Sequence, residues 1–163
     1  MKKTVLVAVL GICLVACTSP DQKKQDGNID IVKSYVKSVE ELDFESMGNY
    51  LDENYLGIGP SYGDSIGKDE ALANWKWSVE NLYEKIHYNR SRFAGVTIPD
   101  GDNKGEWVAN WAELEIVYKN DIGSVIIWAN TNYLLENGKI VRSITFYNEA
   151  DALRQLGFSI VLW

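Results

Sequence analysis

From Glu106 to Tyr147 the chain reads EWVANWAELEIVYKNDIGSVIIWANTNYLLENGKIVRSITFY, and this stretch decides the fold class. Apolar and β-branched residues alternate with polar residues along it, as in strands that bury one face. The segments NDIG and ENGK interrupt the alternation, and their Asn and Gly residues are typical of hairpin turns. The stretch therefore predicts three antiparallel strands, over residues 106–119, 123–135 and 139–147.

The residues upstream repeat at helical rather than strand spacing. Apolar side chains recur every three or four positions over 29–42, 44–51 and 68–85, which predicts three helices. Asp43 is placed to cap the second helix. Between the second and third helices, GIGPSYGDSIG (57–67) contains four glycines and a proline, which indicates a loop or an edge strand.

A further strand and a terminal helix complete the pattern. The strand is predicted over 87–98, before the turn PDGDNKG, and the helix over 149–156, where Gly157 is suited to a left-handed cap. Three helices followed by a four-stranded antiparallel meander cannot form a parallel sheet. The helices must cover one face of the sheet, which predicts an α+β fold.

Residues 1–16 have the make-up of an export signal. Lys2 and Lys3 precede an almost wholly apolar run that is too short to span a bilayer comfortably. The run ends in Leu-Val-Ala-Cys (14–17), which resembles the bacterial lipobox. The resemblance implies cleavage before Cys17, a diacylglycerol on its sulfur and acylation of the new amino terminus, so that acyl chains hold the protein on a membrane.

This signal predicts a location and a domain organisation. The expected location is the bacterial cell envelope, and the outer membrane is favoured over the inner one where two membranes exist, because Thr18 rather than an aspartate follows the cysteine. Residues 17–27 would form a lipidated, flexible tether, because TSPDQKKQDG is polar and lacks large apolar residues. Residues 28–163 would form the single domain. An ordinary signal peptide with a nearby cysteine is the alternative.

Charge and cysteine content exclude several function classes. The net charge is −7, and cleavage removes two lysines and no acid, so nucleic acid is not an expected partner. Cys13 leaves with the signal and Cys17 is lipidated, which leaves no thiol, while the chain has a single histidine. We therefore expect no metal site built from histidines and thiolates, and no cofactor.

The predicted element order resembles the nuclear transport factor 2-like superfamily, specifically its SnoaL-like polyketide cyclase branch. Gly67-Lys68-Asp69-Glu70-Ala71 at the start of the third helix supports the resemblance. So does the closing segment from Asn137-Gly138-Lys139-Ile140 to Leu153-Arg154-Gln155-Leu156-Gly157. The resemblance covers about residues 29–158. It implies a cone in which helices and a curved, mainly antiparallel sheet enclose an apolar pocket for a small molecule.

The resemblance also indicates where a catalytic base would lie. In the cyclase branch an aspartate precedes the final glycine by nine residues, and here Asn148 occupies that position. In the ketosteroid isomerase branch an aspartate precedes a proline before the third helix, and here Gly59 precedes Pro60. Neither an amide nor a glycine can accept a proton at neutral pH, so this chain lacks a base at both positions where the resemblance would place one. This favours binding without catalysis.

Two other residues are candidates for a substitute acid or base. His87 lies between the third helix and the first strand of the meander, and an imidazole, which ionises near neutral pH, suits a general base. Glu113 shares a strand face with Trp107 and Trp111, and a carboxyl group beside tryptophans would have a raised pKa. The alternative is that His87 lies at the edge of the core and Glu113 in solvent.

The strand alternation predicts the residues of the pocket. If the even-numbered face of each strand points inward, amides and aromatic rings line the cavity: Asn110, Asn130, Asn148, Trp128 and Phe146, together with Trp75 and Tyr50 from the helices. Such a lining suits a neutral polar-aromatic or sugar-like ligand. A packed core with surface asparagines is the alternative.

On the same assumption, Trp107, Trp111 and Tyr133 lie on the outer face of the sheet. Exposed aromatic rows mark interfaces, and related domains often dimerise through this face, so we expect a homodimer. The apolar tail 158–163 would complete that interface or seal the mouth of the cone.

Three functional hypotheses remain open. The first is an envelope-anchored domain that binds a small molecule without catalysis. The second is an isomerase, cyclase or dehydratase that uses His87 or Glu113. The third is an interaction module whose cone is filled by side chains and whose aromatic sheet face binds a protein partner.

Overall fold

The computed structural model describes residues 20–159, which form four helices and six strands. In chain order these are α1 (Pro20–Glu40), α2 (Phe44–Tyr50), β1 (Leu51–Ile58), β2 (Ser65–Gly67), α3 (Lys68–Asn81), β3 (Tyr83–Ile98), β4 (Gly105–Tyr118), β5 (Gly123–Glu136), β6 (Lys139–Tyr147) and α4 (Glu149–Gln155). Cys17, the predicted cleavage site and residues 160–163 lie outside the described part. Within it, no helix is both long enough and apolar enough to cross a membrane.

The six strands form one mixed sheet in the order β2-β1-β6-β5-β4-β3. All neighbouring strands are antiparallel except β1 and β6, which are parallel. The helices α1 and α3 contact strands of this sheet, and α4 contacts β5. The predicted α+β architecture, with its mainly antiparallel sheet, is confirmed.

The core lies between α1 and the sheet. Val32 and Val39 on the apolar stripe of α1 are fully buried with Met47 of α2, and so are Val108, Val125 and Ile140 from three different strands. Full burial of an aliphatic side chain contributes about 1.5–3 kcal/mol, so this layer fixes the helix on the sheet.

The helix caps follow the sequence signals. Asp43 accepts a hydrogen bond from the Ser46 amide at 2.9 Å, which satisfies a free N–H in the first turn of α2. At the other end of the chain, Gly157 has φ +85°, and the Phe158 amide donates to the Leu153 carbonyl at 3.0 Å. This is the predicted left-handed termination of α4.

Strand β1 was not predicted from the sequence. The second helix was expected to include Leu51, which is the first residue of β1, and residues 57–67 were expected to form a loop or edge strand. β1 buries Leu51, Tyr55 and Gly57, and its pairing with β6 shifts between Leu51 and Leu56. Because of this irregularity the segment lacks the clean alternation by which strands are recognised.

The flexible tether was predicted to extend to residue 27, but α1 begins at Pro20. Proline suits a first helical turn because its missing N–H would have no partner there. Polar contacts hold this first part of α1 on the sheet: the Gln25 amide donates to the Thr97 hydroxyl at 3.2 Å, and the Lys24 ammonium lies 3.6 Å from the Glu106 carboxylate. Residues 20–27 lack an apolar face, so the sequence pattern does not predict this part of the helix, which polar side chains attach to the sheet.

Candidate functional site

A cavity of about 320 Å³ lies between the sheet and helices α1, α3 and α4. Its lining is dominated by one residue type. Seven of the nine tyrosines of the chain contribute: Tyr35, Tyr55, Tyr83, Tyr88, Tyr118, Tyr133 and Tyr147. The cavity contradicts the hypothesis of a cone that is filled by side chains.

The pairing of the strands explains which residues face the cavity. β4 presents even-numbered residues to it, and each pairs with an odd-numbered residue of β5, as Asn110 does with Thr131 and Leu114 with Ile127. Thr131 in turn pairs with Thr145 of β6. Paired residues project from the same side of a sheet, so the inward face is even on β4 but odd on β5 and β6.

The expected even-numbered inward face is therefore wrong for β5 and β6. Trp128 is 62% exposed and Phe146 is 55% exposed, and neither lines the cavity. Asn130 lies on the same outer face, where its amide donates to the Asn110 carbonyl at 3.1 Å. Tyr133, which was expected on the outer face, is instead 4% exposed and lines the cavity.

Of the predicted ligand-binding residues, Asn110 and Trp75 line the cavity. The Asn110 amide donates to the Ser91 hydroxyl at 2.7 Å and to the Arg92 carbonyl at 3.2 Å, so its donors are used to hold the irregular part of β3. Tyr50 does not line the cavity. Its ring packs edge-on against the ring of Tyr35, which does line the cavity, at a centroid distance of 6.3 Å.

Asn148 does not line the cavity either. Its side chain accepts a hydrogen bond from the Asp151 amide at 3.1 Å, which makes it the N-terminal cap of α4. It borders a separate, open depression with Arg154 and Phe158. The residue at the position where the cyclase branch has its aspartate thus caps a helix in this chain.

Neither candidate base faces the cavity. The His87 ring is half exposed, and its Nδ1 lies 2.7 Å from the Glu40 carboxylate at the end of α1. Glu113 lies on the outer face of β4 beside Arg90, 3.4 Å away. An enzyme that uses either residue on a molecule in the cavity is contradicted by these positions, because proton transfer requires hydrogen-bond reach.

Burial keeps the tyrosines of the cavity in their neutral form. It raises the pKa of Tyr35 and Tyr133 well above the ordinary value, and neighbouring phenols add to the effect. The pKa of Tyr83 rises to about 12, chiefly through burial and then through Tyr118 and Tyr147. The phenols therefore offer the ligand O–H donors and neutral oxygen acceptors at physiological pH.

Most of these hydroxyls have no protein partner. Tyr55 shares a hydrogen bond of 2.6 Å with Ser143, but between residues 20 and 159 no partner is found for the hydroxyls of Tyr35, Tyr83, Tyr88, Tyr118 and Tyr147. No fully buried side-chain polar atom in that range is left unsatisfied, so these hydroxyls remain accessible to water. Free donors around an apolar space are the groups that orient a ligand.

One carboxylate completes the lining. Of the residues that the structure describes, Glu149 at the start of α4 is the sole charged one around the cavity, and no lysine, arginine or histidine among them contributes. Across residues 20–159, no cluster of three or more His, Cys, Asp or Glu residues is arranged to hold a metal ion. The site is thus polar without being basic, and a ligand with an anionic group would find no counter-charge in it.

The alternation of the sequence does not predict the tyrosines of the cavity, because which face of each strand points inward depends on how the strands pair. The turn between β4 and β5 leaves Tyr118 paired with Gly123, and this even-to-odd pairing puts Tyr133 inside. That parity follows from the loop length and was available in the sequence. For β6 it was not, because the pairing slips between Leu134 and Leu135 and reverses the parity set by the Asn137-Gly138 turn.

The chain matches no known protein family by sequence, and no curated protein matches it. Solved structures do resemble it. A candidate polyketide cyclase from Xanthomonas campestris has a TM-score of 0.65 at 13% identity, over 81% of this chain and 98% of that one. A candidate SnoaL-like polyketide cyclase from Shewanella denitrificans has a TM-score of 0.65 at 11% identity, over 80% and 96%.

A third similar structure is an LEH-like epoxide hydrolase from Mycobacterium tuberculosis, with a TM-score of 0.60 at 12% identity over 82% of this chain and 91% of that one. At these identities the likeness shows the fold alone. The chain has the α+β cone of SnoaL-like and nuclear transport factor 2-like proteins.

Proposed function

We propose that this domain binds a small, largely apolar organic molecule in the cavity, and that the residues lining the cavity carry no acid–base catalysis. The observation that supports the proposal is the wall of seven tyrosines around a space that contains no imidazole and a single carboxylate. Aromatic faces bind apolar groups of a ligand, and phenolic hydroxyls bind its oxygen or nitrogen atoms.

The size and the hydrogen-bonding capacity of the cavity both support this proposal. A space of about 320 Å³ falls at the lower end of the range of ligand pockets. Five phenols without a protein partner are costly in a dry interior unless water or a ligand satisfies them. A ligand with one or two polar atoms would satisfy some of these groups and would displace ordered water.

The chemistry of the lining also supports binding without acid–base catalysis. A general base for proton abstraction must titrate near the working pH. Tyr88 and Tyr133, deep in the cavity, have pKa values raised by burial, and Asn110 and Thr131 do not titrate. Glu149 is exposed and belongs to α4 rather than to the sheet.

Binding of Nile red, a neutral fluorescent dye, tests the binding proposal. The dye should bind the purified full-length chain, and Ala129→Phe should weaken binding at least tenfold because the new ring enters the cavity. Ile126→Phe is the matched control, since Ile126 is exposed on the outer face of the same strand. Equal dye binding by both variants would overturn the proposal.

We propose further that lipid on Cys17 anchors the domain to the bacterial cell envelope. The support is the sequence at residues 1–17, where a basic start, an apolar run and Leu-Val-Ala-Cys follow one another. Labelling with a radioactive fatty acid should mark the wild-type chain and leave the Cys17→Ser variant unlabelled. Equal labelling of both would contradict the anchor.

We propose a homodimer through the outer face of the sheet. Trp111, Trp128 and Phe146 are exposed on this face, and the register places Trp111, Asn130 and Phe146 side by side across three strands. Contiguous exposed aromatic groups favour association. Sedimentation should therefore give a dimer for the wild-type chain and a monomer for Trp128→Glu. A wild-type monomer would contradict this proposal.

A further inference from the structure

Four partly exposed aromatic residues line one part of the cavity, which we take as its mouth. We call Trp75, Tyr83, Tyr118 and Tyr147 the mouth wall, and all four line the cavity. The Trp75 and Tyr83 rings have centroids 6.0 Å apart and are tilted by 51°, and the Tyr83 and Tyr118 rings are 5.8 Å apart and tilted by 46°. The three rings thus lie next to one another along the cavity lining.

Negative charge lies beside this wall. Glu149 lines the cavity two residues after Tyr147. After burial, the Glu149 carboxylate is the largest cause of the raised pKa of Tyr147, and Asp64 contributes as well, so both carboxylates act on this ring. Among residues 20–159, no cationic side chain lines the cavity. The combined field of ring faces and carboxylates at the mouth therefore attracts positive charge.

We propose that the ligand carries an alkylated ammonium group, which the mouth wall and Glu149 hold while the remainder of the molecule extends toward Tyr88 and Tyr133. This inference rests on the proposed binding function and names its ligand class. An alkylated ammonium has few or no N–H donors to satisfy, so ring faces and one carboxylate are sufficient partners. A carboxylate or phosphate ligand is disfavoured by the same charges.

Two ligands of the same shape test the proposal. Choline and the alcohol in which carbon replaces its nitrogen differ in charge alone. Isothermal titration of the full-length chain should show that choline binds about 30-fold more tightly, since a desolvated cation–π contact contributes about 2 kcal/mol. Equal affinity for choline and the alcohol would overturn the inference.

Two variants locate the contact. Glu149→Gln should weaken choline binding about threefold and leave binding of the alcohol unchanged, as expected for a partly solvated charge pair. Glu136→Gln, at the exposed end of β5, is the matched control and should change neither. Tyr83→Leu should weaken choline more than the alcohol. If Glu149→Gln and Tyr83→Leu both leave the choline affinity intact, choline binds elsewhere and the inference fails.

The dye distinguishes failure of the inference from failure of the binding proposal. If Nile red binds in a manner sensitive to Ala129→Phe and choline neither binds nor displaces it, the cavity is a binding site for uncharged molecules and the inference alone is wrong. If Nile red binding is insensitive to Ala129→Phe, the binding proposal is wrong as well. Displacement of the dye by choline, but not by the alcohol, supports both.

Discussion

At the scale of single residues, burial determines what each tyrosine of the cavity can do. A phenolate in this interior would lose its hydration without gaining a cationic partner, so the neutral form is favoured for Tyr35, Tyr88 and Tyr133. The same residues in water would lose a proton near their ordinary pKa. Burial thus widens the pH range over which these tyrosines stay neutral, so that they act as hydrogen-bonding groups for a ligand rather than as bases.

The raised pKa of Tyr83 predicts how stability depends on pH. In the unfolded chain this phenol ionises near 10.0, but in the fold its pKa is about 12. Between these values the unfolded state holds fewer protons than the folded state, so the free energy of unfolding should fall as the pH rises from about 10 through about 12. Denaturant unfolding at a series of pH values measures the slope.

Tyr83→Phe is the variant that isolates this effect. It keeps the ring and removes the proton, so its stability should fall less steeply over the same pH interval than that of the wild-type chain. Tyr62→Phe, at a fully exposed position, is the control. Parallel slopes for the wild-type chain and Tyr83→Phe would show that the ionisation of Tyr83 is not linked to folding.

The capping role of Asn148 predicts a change in stability. Asn148→Ala should lower the free energy of unfolding by about 1 kcal/mol, because the Asp151 amide loses its acceptor. Asn148→Ser retains an acceptor and should restore most of the loss. Nile red affinity should be the same in all three proteins under conditions where they are folded. A large change in dye affinity with unchanged stability would show that Asn148 contributes to ligand binding.

At the scale of elements, the periodicity of the sequence is sufficient to predict the four strands of the meander but not to predict β1. The predicted bounds of β6 match the structure, whereas β3, which is irregular near residues 89–92, begins at Tyr83 instead of residue 87. β1 pairs parallel to β6 across a long separation in sequence and through an irregular register, so nothing local identifies it. The inward face of β6 depends on the slip at Leu134 and Leu135, which is likewise a property of the paired strands.

The early start of α1 yields a prediction at this scale. Gly27 lies inside the helix, and a Cβ there would meet no atom within 4 Å. Gly27→Ala should therefore raise the free energy of unfolding by about 0.5–1 kcal/mol, since alanine loses less backbone entropy in a helix. Chemical denaturation provides the measurement, with Gly63→Ala as a contrasting substitution in a turn at φ +85°.

A flexible tether would respond differently to this substitution. If residues 20–27 had no fixed structure in the folded state, Gly27→Ala would leave the stability unchanged. Gly95→Leu provides a second test, because a Cβ at Gly95 lies 3.2 Å from the Gln25 side chain. It should speed amide hydrogen exchange in residues 20–27 more than in the rest of α1.

At the scale of the whole molecule, the fold separates two aromatic surfaces that the sequence mixes. The sheet has tyrosines on its inner face and Trp111, Trp128 and Phe146 on its outer face. Composition reveals that aromatic residues are abundant, and alternation reveals that each strand has two faces. Which face is inner depends on pairing across the whole sheet, so the cavity emerges only when all strands are assembled.

Native mass spectrometry of the protein, purified gently from the cells that naturally produce it, shows directly whether the cavity holds a ligand. We expect a bound organic molecule that is present in the wild-type protein and in Ile126→Phe but absent from Ala129→Phe. A molecule that carries a fixed positive charge would in addition support the ammonium site. A wild-type protein without any bound molecule, or one whose bound molecule persists in Ala129→Phe, would contradict ligand binding in the cavity.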